Sequence, residues 1–313
     1  MTERSVAIIG KGMIGISMAV LFTGNGIPTI VLAKNAEVGL EKYRTYYQDL
    51  MDQGLVTKQQ AAACERRLSF TESYQDLADV EVVFECVTEK LEVKYQVYQQ
   101  IEANCPHLKA IASTTSAISP ADLSKGMTVR EKIMVAHPYN PPHLIPLVEL
   151  TSGDKTDPEL LQLAYDFYQS IGKEAVLLRR ECPGFIANRL QLALYREVQD
   201  LVMRGVCSVE DADKALVYGP GLRWAIFGHN MIMQLGNPGG LTGMVNMLGN
   251  SGDRWLADMA SWTHQPDNWA EVAQPGVDQE MKNFPDYIGH TNEACAAYRD
   301  QMLIELLKLH RKL

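Results

Sequence analysis

The chain has 313 residues, of which 46% are hydrophobic and 21% charged, and its formal net charge at pH 7 is −9. This composition is that of an ordinary globular protein, and the length exceeds the roughly 250 residues that one hydrophobic core usually serves, so we expect two domains. The acidic balance, without a cluster of lysines or arginines, argues against a nucleic-acid partner.

The N-terminus runs directly into an apolar segment and lacks the basic flank and the cleavage site of a signal peptide. No apolar stretch approaches the roughly 18 residues that a membrane-spanning helix requires. We therefore expect a cytoplasmic protein with no membrane partner. The six cysteines show neither a Cys-x-x-Cys pair nor a Cys/His spacing typical of zinc, so no metal site is predicted.

The first 184 residues alternate short apolar runs with helical patterns, which is typical of a parallel sheet covered by helices. Seven strands are predicted, at Val6–Ile9, Thr29–Leu32, Val80–Cys86, Ala110–Ala112, Ile133–Ala136, Leu147–Leu150 and Ala175–Leu178. Helical patterns fall at Met13–Thr23, Gly39–Gln53, Lys90–Asn104 and Glu159–Ile171. This order predicts a Rossmann-type, doubly wound α/β domain over residues 1–184.

The strand pattern ends after Gly184. Apolar residues at helical spacing then predict a long amphipathic helix over Phe185–Met203. Ser208-Val-Glu-Asp211 has the form of a capping box that opens another helix, and Arg299–Lys312 reads as a terminal one. The stretch Gly249–Asp286 matches no element. We expect residues 185–313 to form an all-α domain.

Three glycines, Gly10, Gly12 and Gly15, follow the first predicted strand at the G-x-G-x-x-G spacing of dinucleotide-binding turns. In such turns the first glycine permits a tight turn, the second leaves space for a pyrophosphate, and the third lets the helix pack on its strand. The backbone N–H groups at the helix N-terminus, which starts at Met13 and Ile14, attract the phosphates. The turn therefore predicts a dinucleotide site.

The end of the second predicted strand bears on the choice between NAD and NADP. An acidic residue about 20 residues beyond the glycine turn hydrogen-bonds the ribose of NAD, whereas this chain has Ala33, Lys34 and Asn35 there. Without a carboxylate there is no repulsion of a 2′-phosphate, so Lys34 and Asn35 favour NADP. If Lys34 is a solvated turn residue, NAD binds through other contacts. Both cofactors stay open at this point.

His137 is the candidate catalytic base. Hydride transfer from a secondary alcohol needs a base for the hydroxyl proton and donors around the developing carbonyl oxygen. His137 stands at the carboxyl end of a predicted strand, where open α/β folds bind their ligands, and histidine exchanges protons near neutral pH. A proline-rich turn and a strand that ends near Glu149 follow it.

These segments resemble the 3-hydroxyacyl-CoA dehydrogenase superfamily, and the likeness covers nearly the whole chain. It includes the glycine turn, Glu85–Lys94, Ser113–Ser116, the His137–Glu149 spacing and the Pro183–Leu190 segment. The resemblance implies that His137 is the general base and that Glu149 orients it. It implies that Ser116 and Asn188 hold the substrate oxygen. It also implies NAD as the usual cofactor, contacts to it from Glu89 and Lys94, and a homodimer formed through the helical domain.

The segment Gly219–Gly228 resembles the lambda-crystallin/L-gulonate 3-dehydrogenase and carnitine 3-dehydrogenase branches, which implies a free 3-hydroxy carboxylate as substrate. Because an arginine binds a carboxylate through two parallel hydrogen bonds, Arg223 is predicted to bind it. The alternative for Arg223 is a salt bridge at the domain interface. Trp224 either attracts a quaternary ammonium group or packs the helical domain. An aromatic cage around such a group would also include Tyr139, Trp255 and Trp262.

The sequence thus predicts an NAD(P)-dependent dehydrogenase that oxidises the 3-hydroxyl of a short L-gulonate-like or carnitine-like acid. Two alternatives stay open. One is a 3-hydroxyacyl-CoA dehydrogenase that acts on a CoA thioester, and the other is a crystallin-like structural protein that binds cofactor without turnover. The presence of Ser116, His137, Glu149 and Asn188 together argues against a purely structural protein.

Overall fold

A computed structural model describes residues 5–313 of the chain. Its central element is one eight-stranded sheet. The strands are β1 (Val6–Ile9), β2 (Thr29–Leu32), β3 (Leu68–Thr71), β4 (Val82–Glu85), β5 (Ala110–Ser113), β6 (Ile133–Pro138), β7 (Leu147–Ser152) and β8 (Glu174–Leu177). They lie in the order β3-β2-β1-β4-β5-β6-β7-β8. The order reverses between β1 and β4, so the doubly wound α/β prediction is confirmed.

Two features of the sheet differ from the prediction. The strand β3 was not predicted, because it is a four-residue edge strand in which no side chain is fully buried and the apolar run is interrupted by Ser69. The prediction of an all-parallel sheet is wrong at β7, which runs antiparallel to β6. The eight-residue connection 139–146 is too short for the helical crossover that a parallel neighbour would need.

Helices cover both faces of the sheet. They are α1 (Met13–Gly24), α2 (Ala36–Asp52), α3 (Lys58–Glu65), α4 (Leu91–Asn104), α5 (Pro120–Ser124) and α6 (Pro158–Ser170). On one face, Phe22 of α1 packs on Phe84 of β4 with 4.6 Å between ring centroids. On the other face, Tyr98 and Ile101 of α4 pack on Ile111 of β5. Side chains alternate between the faces of each strand, so the buried strands contribute to both cores.

The remaining helices are α7 (Ala187–Met203), α8 (Val209–Leu216), α9 (Leu222–Trp224), α10 (His229–Leu235), α11 (Gly240–Asp258), α12 (Trp269–Asn283) and α13 (Asn292–Leu309). The Ser208 hydroxyl accepts a hydrogen bond from the Asp211 N–H and caps α8, as predicted. The unassigned stretch contains the end of α11 and all of α12. Gly249, with φ +34°, and Pro275 interrupt the helical patterns there.

The chain divides into two compact units. The first ends at Ala187 and also includes Gln301–Leu313, and the second is Asn188–Asp300. The predicted division into residues 1–184 and 185–313 did not anticipate that the last residues join the first unit, where Ile304 and Leu307 pack with Leu144. Among residues 5–313, no helix combines the length and the apolar character needed to cross a bilayer.

Candidate active site

The predicted site residues of the first unit meet at the carboxyl edge of the sheet. The glycine turn follows β1, Glu89 lies beyond β4, and Ser116 lies just beyond β5. His137 is near the end of β6, which pairs directly with β5. Because β1, β4, β5 and β6 are parallel, their ends meet at one edge, where open α/β folds bind ligands.

The glycine turn contains two glycines that its own packing requires and one that faces open space. Gly10 has φ +120°, and a Cβ there would lie 2.5 Å from the carbonyl oxygen of Cys86. A Cβ on Gly15 would lie 2.1 Å from the carbonyl oxygen of Gly10. A Cβ on Gly12 would meet nothing within 4 Å. The turn is therefore tight against β4 but open above Gly12.

This open side fits the diphosphate of a dinucleotide. Gly12 is the N-cap of α1, no side chain caps the helix there, and the first turn of α1 contains no acidic residue. The backbone N–H groups of the first turn, including those of Met13 and Ile14, are thus available to an anion. The Met13 side chain is exposed, whereas Ile14 packs on the core. These residues fit a nicotinamide dinucleotide. The contact that each of them makes with the cofactor stays a prediction.

The end of β2 holds a contact that the sequence reasoning missed. The Lys11 ammonium donates to the carbonyl oxygens of Lys34 and Asn35, the latter at 3.0 Å. Ala33 is half-buried and donates its N–H to the carbonyl oxygen of Thr71, whereas the Lys34 side chain is exposed. A charged residue inside the glycine motif was the available signal, since a lysine there must place its ammonium close to the turn.

His137 and Glu149 form a buried pair. They are directly opposite residues of the antiparallel strands β6 and β7, and His137 Nδ1 lies 2.9 Å from Glu149 Oε2. The His137 side chain is 9% exposed and that of Glu149 is 1% exposed. The His137 ring packs between Phe185 and Tyr139, with centroid distances of 5.2 Å and 6.1 Å. The histidine orientation is therefore determined by both a hydrogen bond and ring packing.

Two backbone amides hold the second oxygen of Glu149. Its Oε1 accepts hydrogen bonds from the N–H groups of Ile186 (2.8 Å) and Ala187 (2.9 Å), where α7 begins. Gly184 and Phe185 both have positive φ, +76° and +52°, so the chain turns sharply before the helix. Burial acts to raise the pKa of Glu149, but the hydrogen bonds from His137, Ala187 and Ile186 outweigh it and lower the pKa. Glu149 is therefore a carboxylate at neutral pH.

Glu89 organises the turn that carries Ser116. Its Oε1 accepts hydrogen bonds from the Ser116 N–H (2.9 Å), the Ala117 N–H (3.2 Å) and the Thr115 hydroxyl. Burial acts to raise the pKa of Glu89, but the contacts with Thr115, Lys94 and Ser116 prevail and lower it. The Ser116 side chain is left exposed beyond β5. The predicted contact of Glu89 with the cofactor stays a prediction, and the contacts seen here position Ser116.

Lys94 lies beneath this turn in a saturated ionic network. Its ammonium contacts Glu85 Oε1 (2.8 Å), Glu85 Oε2 (3.0 Å) and Glu89 Oε2 (3.2 Å). The Glu85 carboxylate also accepts hydrogen bonds from the hydroxyls of Tyr98 and Ser113. Lys94 is 1% exposed and its ammonium contacts three carboxylate oxygens, and its predicted contact with the cofactor stays a prediction. In the sequence, the acidic Glu85 at the end of the apolar strand β4 indicates that a buried basic partner is present.

One buried cation and several hydrogen bonds also hold the connection 139–146. The buried Lys173 ammonium donates to the carbonyl oxygens of Pro142 and Ile145, and burial lowers its pKa to about 8. His143 Nδ1 lies 2.7 Å from the Ser17 hydroxyl, and burial lowers its pKa to about 4. The His143 backbone N–H also donates to the Ser17 hydroxyl, so this residue is held in the connection and is not solvated. No local sequence signal identifies Lys173, since its partners lie 28 and 31 residues away.

The other predicted site residues belong to the second unit. Asn188 is half-buried near the start of α7, and its role stays a prediction. Arg223 is exposed on α9 and forms no ion pair with any other residue between 5 and 313. The Trp224 indole N–H donates to His229 Nδ1 at 3.1 Å, and the rings make an edge contact. The proposed aromatic cage of Trp224 with Tyr139, Trp255 and Trp262 stays a prediction.

Two family matches cover this architecture. Residues 5–182 match 3-hydroxyacyl-CoA dehydrogenase, NAD binding domain, and residues 184–272 match 3-hydroxyacyl-CoA dehydrogenase, C-terminal domain. L-carnitine dehydrogenase of Bacillus cereus is 32% identical and aligns over 99% of this chain and 93% of its own length. L-carnitine dehydrogenase of Streptomyces griseus is 36% identical, with 97% and 89% covered. A 3-hydroxyacyl-CoA dehydrogenase of Gibberella moniliformis is 32% identical, with 99% and 96% covered.

Solved structures agree in fold. The structure of 5-formyl-3-hydroxy-2-methylpyridine 4-carboxylic acid 5-dehydrogenase, an NAD⁺-dependent dismutase, superposes with a TM-score of 0.79 at 25% identity. The superposition covers 98% of this chain and 97% of the chain in the solved structure. (S)-3-Hydroxybutyryl-CoA dehydrogenase from Ralstonia eutropha superposes with a TM-score of 0.66 at 22% identity, with 88% and 93% covered, which shows the shared fold.

Proposed function

The chain belongs to the 3-hydroxyacyl-CoA dehydrogenase family, and from this premise we propose that it oxidises the 3-hydroxyl of a short free 3-hydroxy carboxylate. It is a dehydrogenase that acts on a CH–OH group with a nicotinamide cofactor. The observation that supports oxidation of the 3-hydroxyl is the His137–Glu149 pair, which is buried, oriented and placed at the ligand-binding edge. The exposed Arg223 supports a free acid. L-carnitine is the first substrate to test, because relatives at 32–36% identity bear the name L-carnitine dehydrogenase.

In the proposed mechanism His137 takes the proton of the substrate hydroxyl. Ionised Glu149 can only accept hydrogen bonds, so the hydrogen of the neutral imidazole is on Nδ1 and the lone pair of Nε2 is free. As His137 becomes an imidazolium, the adjacent carboxylate stabilises its charge. The Ser116 hydroxyl and the Asn188 amide are proposed to donate to the developing carbonyl oxygen. A bound nicotinamide supplies the hydride acceptor.

Arg223 is proposed to bind the substrate carboxylate. It is exposed and without an ion pair among residues 5–313, so its guanidinium is available to an anion. Loss of two charge-assisted hydrogen bonds in Arg223→Gln should raise KM for the free acid by about 30-fold. The exposed Arg254 of α11 provides a control, since Arg254→Gln should leave KM unchanged. An unchanged KM in Arg223→Gln would exclude Arg223 from the substrate site.

A second candidate function is the oxidation of a CoA thioester, because the Gibberella moniliformis relative bears the name 3-hydroxyacyl-CoA dehydrogenase. The test is a dehydrogenase assay with carnitine, gulonate, 3-hydroxybutyrate and 3-hydroxybutyryl-CoA, each with NAD and with NADP. We expect turnover of a free acid. A preference for the thioester would establish the second function instead. Cofactor binding without turnover of any hydroxy acid would support a structural protein.

We also propose a homodimer formed through the second unit. Large apolar side chains are exposed on its helices and on the turn after α9. The exposed fraction is 60% or more in Leu190, Leu222, Ile226, Leu235, Met247, Trp255 and Leu256. Exposed apolar surface of this kind marks protein–protein contact sites. Sedimentation equilibrium should give twice the mass of one chain, and the mass of a single chain across micromolar concentrations would contradict the proposal.

A further inference from the structure

The end of β2 is unusually cationic for a dinucleotide site. Two ammonium groups belong to it, those of Lys11 and Lys34, and the residues that follow β2 include no carboxylate before Glu37. Lys11 reaches this end from the glycine turn and donates to the carbonyl oxygens of Lys34 and Asn35. Because α1 and β2 flank the adenosine half of a bound dinucleotide, this charge lies where the adenosine ribose binds.

We propose that Lys11 and Lys34 bind a phosphate on the 2′-oxygen of that ribose, so that the chain prefers NADP to NAD. The proposal rests on the dinucleotide site of the proposed function and names its specificity residues. In this fold an acidic residue at the end of β2 selects the free 2′-hydroxyl, and a cationic residue nearby accommodates the 2′-phosphate. This chain has the second arrangement.

The geometry of Lys11 favours a bound anion. An ammonium group has three N–H donors, and the Lys34 and Asn35 carbonyls occupy two of them. The two carbonyls determine the position of the ammonium, and the third donor is free for a phosphate oxygen. The Lys34 side chain is exposed and has no hydrogen-bond or ionic partner within residues 5–313, so it can reach the same phosphate. Two ammonium groups match the charge of a phosphate monoester.

The neighbouring carboxylates do not replace the missing acidic residue. Glu72, which follows β3, accepts the Asn35 N–H on Oε1 at 3.0 Å and so supports the backbone of the turn. Glu37 lies in the first turn of α2 and is exposed. Asn35, in the left-handed conformation with φ +56°, is the N-cap of α2, and its side chain makes no capping hydrogen bond. The Asn35 amide therefore offers a neutral donor beside the two ammonium groups.

Calorimetric titration of the full chain with 2′,5′-ADP and with 5′-ADP tests the proposal without any turnover. We expect 2′,5′-ADP to bind at least about tenfold tighter, since each charge-assisted hydrogen bond contributes about that factor. Lys11→Gln and Lys34→Gln should each remove most of this advantage while 5′-ADP binding falls far less. Lys58→Gln, a change at an exposed lysine that begins α3, should keep the advantage.

Other outcomes are equally decisive. Equal or weaker binding of 2′,5′-ADP, with 5′-ADP still bound, overturns the proposal and leaves the proposed dehydrogenase intact. Failure of both nucleotides to bind overturns the dinucleotide site and the proposed function with it. The expected advantage of 2′,5′-ADP should shrink between 50 and 500 mM KCl, because salt screens charge pairs.

Discussion

Glu85 and Glu149 are two buried carboxylates at the same edge of the sheet. They differ in whether the basic partner keeps a nitrogen atom free for another contact. Each is at most 1% exposed, pairs with a basic side chain and accepts at least one backbone N–H. The Lys94 ammonium uses all three donors on Glu85 and Glu89. His137 uses only Nδ1 on Glu149. A saturated pair positions its surroundings, whereas a pair with one free nitrogen can exchange a proton.

The difference follows from the strands that carry the two carboxylates. Glu85 ends β4 among parallel neighbours, and its partners come from α4 and β5, so it is enclosed by hydroxyls and an ammonium. Glu149 is in β7, the strand antiparallel to β6, and lies opposite His137. The helix that begins at Ala187 occupies its other oxygen. Only the second arrangement places an imidazole between the carboxylate and the ligand-binding edge.

The largest expected effect is that of His137→Ala. Removing the general base should lower kcat/KM for the 3-hydroxy acid by about 10³- to 10⁴-fold, while nucleotide affinity changes less than twofold. Steady-state assays and calorimetric titration with NAD and NADP measure the two quantities. Activity close to that of the unmodified chain would show that His137 is not the base.

Glu85→Gln should lower the stability of the folded chain. Breaking one side of the buried pair leaves Lys94 partly uncompensated, so we expect the free energy of unfolding to fall by about 4 kcal/mol. Urea denaturation measures it. Glu305→Gln is the matched control, since Glu305 pairs with Lys308 and both side chains are exposed, so this change should cost about 0.5 kcal/mol. Equal losses in the two variants would mean that the Glu85 pair is no more important than a surface pair.

Glu149→Gln should lower kcat by about 100-fold, because the amide cannot stabilise the imidazolium charge. It should also change the pH dependence of stability. Since folding lowers the pKa of Glu149, its carboxylate stabilises the fold above the ordinary glutamate pKa of 4.5. That contribution is lost as the pH falls through the lowered folded value.

Urea denaturation of the unmodified chain and of Glu149→Gln between pH 6 and pH 3 tests this dependence. The stability difference between the two should be full at pH 6 and should shrink as the solution becomes more acidic. A difference that stays constant over this range would show that Glu149 is not held as a carboxylate by its three hydrogen bonds.

The sequence alone determined the elements whose residues are close together along the chain. The bounds of β1 and β2 match the prediction, because each is an apolar run next to glycine or proline breakers. The glycine turn was also predictable from the sequence, because the spacing of its glycines indicates a local backbone conformation. Gly10 adopts this conformation with φ +120°. Short-range patterns contain this information because hydrophobic periodicity and turn chemistry act within a few residues.

Only the tertiary structure decided how distant segments share a site. The antiparallel direction of β7 brings Glu149 opposite His137, and the amides of Ile186 and Ala187 reach Glu149 from 37 and 38 residues away. The ammonium of Lys11 likewise meets carbonyls 23 and 24 residues further along the chain. The residue types do not identify which backbone groups these side chains meet, because nearly every residue offers the same N–H and carbonyl groups. They exist because the sheet order and the packing of the helices bring these backbone groups within hydrogen-bond distance.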